Sequence, residues 1–99
     1  MTEKKLTAAI VSAIRAEWPM AWVYKVLGGP YARAGVPDLL CCIEGRFVAI
    51  EVKVPSGHLT VRQEHEIECI KRAGGIAFVC RSVDELIRWL PAQIMAMNE

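Results

Sequence analysis

The sequence GVPDLLCCIEGRFVAIEVKV, residues 35–54, contains two apolar runs joined by a short turn. The runs cover residues 38–43 and 47–54, and Glu44-Gly45-Arg46 separates them. Two short apolar runs joined by three residues that include a glycine are typical of a β-hairpin. We therefore predict that these two runs are neighbouring antiparallel strands.

The second predicted strand carries two opposite charges on one face. Strand alternation places Phe47, Ala49, Glu51 and Lys53 on one side and Val48, Ile50, Val52 and Val54 on the other. Burying a carboxylate and an ammonium costs several kcal/mol unless they are paired or bind a metal. The presence of both groups in an apolar sheet therefore indicates a functional site. The alternative is a salt bridge on a solvated face, and an E-x-K triplet occurs by chance in about one chain of this length in three.

Asp38 begins the first strand of the hairpin, so folding brings it beside Glu51 and Lys53. Two adjacent carboxylates repel each other unless a hard cation lies between them, and Mg²⁺ prefers carboxylate oxygens and water. The sequence therefore predicts a divalent-cation site at Asp38 and Glu51. Lys53 would orient or deprotonate water at that ion, or offset negative charge that develops in a transition state.

The remaining elements follow from periodicity and from turn residues. They are a helix over 3–18, a strand over 21–26, a loop over 27–37, a helix from Thr60 to Gly74-Gly75, a strand over 76–80, a helix from Ser82 to Pro91 and a possible short helix over 92–97. Predicted N-caps start the three main helices: Thr2, Thr60 and Ser82, the last two in capping boxes with Gln63 and Glu85. The order αβββαβα predicts an α/β sandwich of two or three layers, with a mixed four-stranded sheet flanked by helices.

Length and composition bound the class of protein. Ninety-nine residues make a single domain, residues 1–99, of which 54% are hydrophobic and 23% charged. No segment has the roughly 18 apolar residues of a membrane span, so we expect a soluble cytoplasmic protein. The net charge of +1 neither demands nor excludes a nucleic-acid partner.

Four cysteines without a C-x-x-C pair favour reduced, buried thiols over a disulfide or a zinc site. The adjacent Cys41 and Cys42 are expected on opposite faces of their strand.

Two further polar residues are candidates for the same site. Glu3 shares a helical stripe with Leu6, Ile10 and Ile14, so we expect it on the core-facing side and within reach of the metal; it could instead only complement the helix dipole. Gln63 has a structural task as the capping-box residue, but it also opens the helix that follows the catalytic strand and could touch the site or a phosphate.

These residues resemble the PD-(D/E)XK nucleases, and specifically the virus-type replication-repair nuclease (VRR-NUC) domain. The resemblance rests on the order Gly35-Val36-Pro37-Asp38, Ile50-Glu51-Val52-Lys53 and Gln63, with Glu3 on the first helix. It extends over nearly the whole chain and includes the restriction-endonuclease-like αβββαβ order and the Gly74-Gly75 turn before the last strand.

The resemblance implies an Mg²⁺- or Mn²⁺-dependent endodeoxyribonuclease that hydrolyses phosphodiester bonds. Asp38, Glu51 and the Val52 carbonyl would be metal ligands, Lys53 would lie near the attacking water, and Glu3 and Gln63 would be accessory positions. Because the chain is so short, it is similar to stand-alone phage or bacterial DNA-repair proteins of this family. These form homodimers and cut branched DNA such as Holliday junctions. The alternative is a non-catalytic DNA-binding module of the same fold.

Basic and aromatic residues near the predicted site indicate where DNA would lie. They are Lys25, Tyr31, Arg33, His58 and Arg62, in or beside the 27–37 loop and the start of the second helix. Solvated surface charges are the competing interpretation, and His58 could also be a proton shuttle. Trp18, Trp22, Trp89, Ile94, Met95 and Met97 supply more apolar bulk than one small core needs, which predicts a homodimer unless they pack within the monomer.

Overall fold

The computed structural model of the chain describes residues 1–98. Its elements in chain order are α1 (Glu3–Glu17), β1 (Trp22–Lys25), β2 (Leu39–Ile43), β3 (Arg46–Val52), α2 (Val61–Arg72), β4 (Ile76–Cys80) and α3 (Val83–Met97). This order confirms the predicted αβββαβα arrangement and the α/β class. Within residues 1–98, no helix combines the length and the apolar character that crossing a bilayer requires.

The four strands form one mixed sheet in the order β1-β2-β3-β4. The first three strands are an antiparallel meander, and α2 crosses over to bring β4 parallel to β3. The β2–β3 hairpin turns at Glu44 and Gly45, whose φ angles are 49° and 80°. Positive φ at both central residues is typical of a type I′ turn, whose twist matches that of the paired strands.

Helices cover both faces of the sheet, which makes three layers. On one face, α1 and α3 pack against alternate strand residues in the main core; its buried members include Ile10, Ile14, Val48, Ile50, Val52, Leu86 and Leu90. On the other face, α2 contributes Ile67 to a smaller cluster with Ala49 and Ala77. The predicted alternation along β3 is therefore confirmed, and Glu51 lies on the face that α2 covers.

The predicted helix end at Pro91 is wrong, because α3 runs through it to Met97. A proline inside a helix costs about 3 kcal/mol, since it lacks a donor and its ring crowds the preceding turn. Continuing the helix buries Ile94 to 2% exposure. It also lets Arg46 donate hydrogen bonds to the Met97 carbonyl at 2.6 Å and to Asn98 Oδ1 at 3.0 Å. These interactions lie beyond the proline and offset its cost.

The helix N-caps agree with prediction except for one bond. Thr60 and Gln63 form the predicted reciprocal capping box, and Thr2 caps α1. The Ser82 hydroxyl accepts from the Glu85 N–H, but the Glu85 carboxylate accepts from the Arg81 N–H at 2.8 Å instead of from Ser82. In the second capping box, the Glu85 side chain therefore bonds the N–H of Arg81, the residue before the N-cap, and not the N–H of Ser82.

The cysteines are free thiols, as predicted, but only two of the four are buried. Cys41 and Cys80 lie in the core, whereas Cys42 and Cys69 are exposed. Cys41 and Cys42 do lie on opposite faces of β2, because consecutive strand residues alternate. The prediction of burial failed for Cys69 because its position on α2 faces away from the sheet.

Candidate active site

Asp38 and Glu51 meet across the open end of the β2–β3 hairpin. The strand register pairs Leu39 with Ile50, so the next residue outward, Asp38, lies opposite Glu51. The Asp38 carboxylate accepts a hydrogen bond from the Val52 N–H at 2.8 Å through Oδ2. Its backbone carbonyl accepts another from the Val26 N–H at 2.8 Å, just beyond β1. Asp38 is therefore held from both neighbouring strands.

Glu51 is a buried carboxyl group with an incomplete set of partners. Its side chain is 2% exposed. Within residues 1–98, Oε2 accepts a long hydrogen bond of 3.4 Å from the Gln63 side chain, while Oε1 has no partner. An unsatisfied buried acceptor costs roughly 1–3 kcal/mol, so such groups in native proteins are often reserved for a ligand.

The electrostatics of Glu51 agree with this geometry. Its pKa rises from the usual 4.5 to about 8, first because of burial and then because of the adjacent Asp38 carboxylate. Lys53 lowers the pKa, and Glu3 raises it by the smallest contribution. The carboxyl group thus keeps its proton at neutral pH unless a cation binds beside it.

Gln63 performs both of its alternative tasks with opposite ends of one amide. Its Oε1 accepts from the Thr60 N–H at 2.9 Å and closes the capping box. Its Nε2 donates to Glu51 at 3.4 Å. The residue therefore joins the start of α2 to the buried carboxyl group.

Lys53 follows the end of β3, which stops at Val52 and not at Val54 as predicted. Its N–H still donates to the Cys80 carbonyl at 3.1 Å, so the backbone stays against β4. Its stem runs close to Gly57, where an added Cβ would lie 3.4 Å from Lys53 Cδ. Lys53 is half-buried, and its charge is close enough to Glu51 to lower the pKa of that carboxyl group.

Arg81 was missed by the sequence analysis, although it shapes the turn after Lys53. Its Nη1 donates to the carbonyls of Val54, Pro55 and Gly57 at 3.0, 3.5 and 2.7 Å. The parallel register pairs Val52 with Cys80, which places Arg81 next to this turn. Extending that register beyond the strand ends would have revealed it.

Glu3 and Val52 differ in part from expectation. Glu3 is exposed at the first turn of α1, although Thr7, one turn later on the same stripe, is buried. Its charge still reaches Glu51 through space. Val52 engages Asp38 through its N–H, so its predicted role as a carbonyl ligand stays a prediction.

The predicted DNA-binding residues form two groups. Lys25, Tyr31, His58 and Arg62 are exposed, with Tyr31 fully so. Arg33 is also largely exposed, but its guanidinium pairs with Glu66 on α2 at 2.6 Å. Glu66 is 6% exposed, and the sequence analysis did not single it out. Arg33 therefore anchors the 27–37 loop on α2.

Gly35 brings the same loop against the start of α2. Its φ is 82°, and an added Cβ would lie 2.5 Å from Arg62 Cγ and 2.7 Å from the Arg62 carbonyl oxygen. Only glycine fits both the positive φ and this close approach. The loop thus delivers the chain to Asp38 in a fixed path, with Arg62 beside it.

Comparisons with known proteins agree on one family. The family model described as "VRR-NUC domain" matches residues 1–84. A solved structure titled "VRR_NUC domain protein" superposes with a TM-score of 0.72 at 19% identity, over 92% of this chain and 86% of that chain. Another, titled "VRR_NUC domain", has a TM-score of 0.65 at 25% identity, over 90% of this chain and 98% of that chain. The first shows a shared fold, and no curated protein matches the sequence.

Proposed function

We propose, from the premise that the chain belongs to the VRR-NUC domain family, that it is a metal-dependent DNA endonuclease. Its family has a nuclease-type, DNA-processing fold. The specific proposal is phosphodiester hydrolysis with Mg²⁺ or Mn²⁺, selective for branched DNA such as Holliday junctions. The observation that carries it is Oε1 of Glu51, which lies beside the Asp38 carboxylate and has no partner in the described part of the chain.

The residues present fit a hard divalent cation. Asp38 commits Oδ2 to the Val52 N–H, and Glu51 offers a buried oxygen without a partner among residues 1–98. Carboxylate oxygens with water are the donors that Mg²⁺ and Mn²⁺ prefer. Asp38 and Glu51 would hold the ion together with the Val52 carbonyl. When bound, the ion would supply Lewis-acid activation of water and neutralise charge on the phosphodiester.

The chain's own residues prepare this reaction by fixed positions. Lys53 places a positive charge on the face of β3 that carries Glu51, where it can stabilise charge developing on a phosphate oxygen. Gln63 holds Glu51 from the start of α2. Arg81 is a positioning residue, because its hydrogen bonds fix the turn that follows Lys53. After burial and Asp38, Glu3 makes the smallest contribution to the raised pKa of Glu51, so it favours the protonated carboxyl group.

Exposed basic and aromatic side chains support a DNA path across the open end of the hairpin. Lys25 lies at the end of β1, beside the strand that begins after Asp38. Tyr31 is available for stacking on a base or sugar. Arg62 and His58 flank the N-terminus of α2, whose field favours a phosphate. Arg33 would contact DNA only through the part of its side chain that Glu66 leaves free.

A homodimer is part of the proposal, and the free edge of the sheet supports it. β4 is an edge strand, and none of its five residues is charged. A groove of about 450 Å³ beside it is lined by three apolar or aromatic residues and two charged ones: Phe78, Val79, Trp89, Glu85 and Arg88. Exposed edge strands are templates for pairing with another chain. Of the residues that predicted a dimer, Trp18 and Ile94 pack in the monomer, while Trp22, Trp89, Met95 and Met97 stay exposed.

One assay tests the function. Purified protein is incubated with labelled four-way junction, flap and linear duplex DNA in Mg²⁺, Mn²⁺ or EDTA. We expect metal-dependent cutting, fastest on the junction, and its loss in Lys53→Ala. Binding without cutting in any metal would favour the non-catalytic DNA-binding module. If the protein neither binds nor cuts any of these DNAs, both the nuclease and the DNA-binding hypotheses are contradicted.

A further inference from the structure

Helix α2 carries a second group of metal-ligating side chains, separate from the carboxylates at the hairpin end. His65 and Glu66 are consecutive, Cys69 lies one turn later, and the donor atoms of all three lie within 4.8 Å of one another. His65 and Cys69 are exposed, whereas Glu66 is buried. An imidazole and a thiolate select softer ions than the all-oxygen set of Asp38 and Glu51 does.

The spacing of the two softer ligands matches a tetrahedral zinc site. Cys69 Sγ and His65 Nε2 are 3.5 Å apart. Zinc bonds of about 2.3 Å to sulfur and 2.0–2.1 Å to nitrogen, at a tetrahedral angle, put the two donor atoms about 3.5 Å apart. Residues four apart share one helix face, so the backbone already presents this pair. An ion can therefore bind both atoms without a change in the helix.

Glu66 supplies the third ligand and already has an outer partner. Arg33 Nη2 lies 2.6 Å from Oε1 and 3.0 Å from Oε2 of this carboxylate. One oxygen can stay with Arg33 while the other turns to the ion, and ligating carboxylates are commonly hydrogen-bonded in this way. The thiolate and the carboxylate together carry two negative charges, of which Arg33 offsets one, so one net negative charge stays at the site for a divalent cation.

We propose that His65, Glu66 and Cys69 bind a thiophilic divalent transition-metal ion such as Zn²⁺. Bonds form from Cys69 Sγ, His65 Nε2 and one Glu66 oxygen, and water completes the tetrahedron. The Cys69 thiol loses its proton to solvent, and no electron is transferred. The site is independent of the proposed nuclease function and of the hard ion at Asp38 and Glu51.

Co²⁺ titration of the reduced full chain tests the site, because thiolate–cobalt bonding gives a charge-transfer absorption band. We expect a band that saturates at one equivalent, that Zn²⁺ removes and that excess Mg²⁺ leaves in place. Cys69→Ser abolishes the band and weakens Zn²⁺ binding at least about 100-fold, since even outer partners of ligands are worth 10–100-fold. Zn²⁺ also raises the thermal midpoint of the native chain and not that of Cys69→Ser.

Matched variants separate this site from other thiols and from the hairpin carboxylates. Cys42→Ser removes the other exposed cysteine and keeps the band, as does Asp38→Ala. Glu66→Gln keeps the band and weakens binding about 10-fold, with circular dichroism to verify its fold. The proposal is overturned if the native chain gives no charge-transfer band, or if Cys69→Ser keeps it. In that case the His65–Cys69 contact is only a hydrogen bond.

Discussion

At the scale of the residue, Glu51 keeps a buried carboxylate oxygen that a cation can bind, at a cost to stability. Across residues 1–98, one oxygen of this buried carboxyl group has no hydrogen-bond partner, which weakens the metal-free protein. Glu51→Gln keeps the shape and removes the ionisable group, so we expect it to be inactive and more stable than the native chain at pH 8, by up to about 4 kcal/mol. Urea unfolding in EDTA, paired with the junction assay, measures both. A Glu51→Gln protein that still cuts DNA would remove Glu51 from the mechanism.

The raised pKa of Glu51 also predicts how stability changes with pH. Between pH 4.5 and about 8, the folded state keeps a proton that the unfolded state has lost. The contribution of Glu51 to the unfolding free energy in EDTA should therefore be highest below pH 4.5. It should fall by up to about 1.4 kcal/mol per pH unit as the pH rises towards 8. Comparing the native chain with Glu51→Gln isolates this slope, which the variant should lack.

Cation affinity should rise with pH, whereas the unfolding free energy falls, because binding requires Glu51 to release its proton. Calorimetric titration with Mn²⁺ should show affinity rising up to about pH 8. The proton release should disappear in Glu51→Gln. Affinity that is independent of pH would mean that Glu51 does not bind the ion.

The candidate site was predictable where it depends on one hairpin. Strand register alone brings Asp38 beside Glu51, and alternation puts Lys53 on the same face. Gln63 was found only as two alternatives, because a capping box does not show where the far end of the amide points. Arg81 and Glu66 depend on contacts between distant elements, and no local pattern marks them.

At the scale of the element, the 27–37 loop depends on a glycine that packs against α2. Gly35 and Gly45 have nearly the same φ, 82° and 80°, but only Gly35 would place a Cβ against another residue. Gly45→Ala should cost about 1–2 kcal/mol through its backbone alone. Gly35→Ala should cost about 2–5 kcal/mol because overpacking adds to this. Chemical denaturation of both variants measures the difference, and equal losses would contradict the close packing.

Helix α3 shows where local pattern and tertiary packing disagree. Pro91 correctly marks a weak point, but buried Ile94 and the Arg46 hydrogen bonds hold the helix beyond it. The sequence could not reveal this, since Arg46 is 51 residues from Met97. Element types were otherwise predictable from periodicity and caps. Their ends were less so, because β3 stops where its pairing with β4 stops.

Replacing that proline should strengthen the helix. Pro91→Ala restores a backbone donor, and we expect a gain of about 1–3 kcal/mol in unfolding free energy. Pro19→Ala, in the exposed turn after α1, is the control and should give no gain. Urea unfolding compares the two. A destabilised Pro91→Ala would show that the proline ring packs favourably where it is.

At the scale of the whole molecule, the two sheet edges allow a matched test of the proposed homodimer. Trp89 lies beside the β4 edge and is 38% exposed, whereas Trp22 lies on the β1 edge and is 58% exposed. Trp89→Lys should shift the mass from dimer to monomer, and Trp22→Lys should not. Light scattering after gel filtration measures this, with circular dichroism to verify folding. A monomeric native chain, or dissociation by Trp22→Lys alone, would contradict the assignment of the β4 edge.

The hydrogen bonds from Arg81 to the turn after Lys53 have a consequence for protein synthesis. Asp38, Glu51 and Lys53 leave the ribosome before Arg81 does, so a nascent chain displays all three charged groups while the turn behind Lys53 is still loose. Translation that stalls before Arg81 would release a product with every charged group of the proposed catalytic centre and no guanidinium to fix the turn after Lys53. Such fragments should not cut DNA.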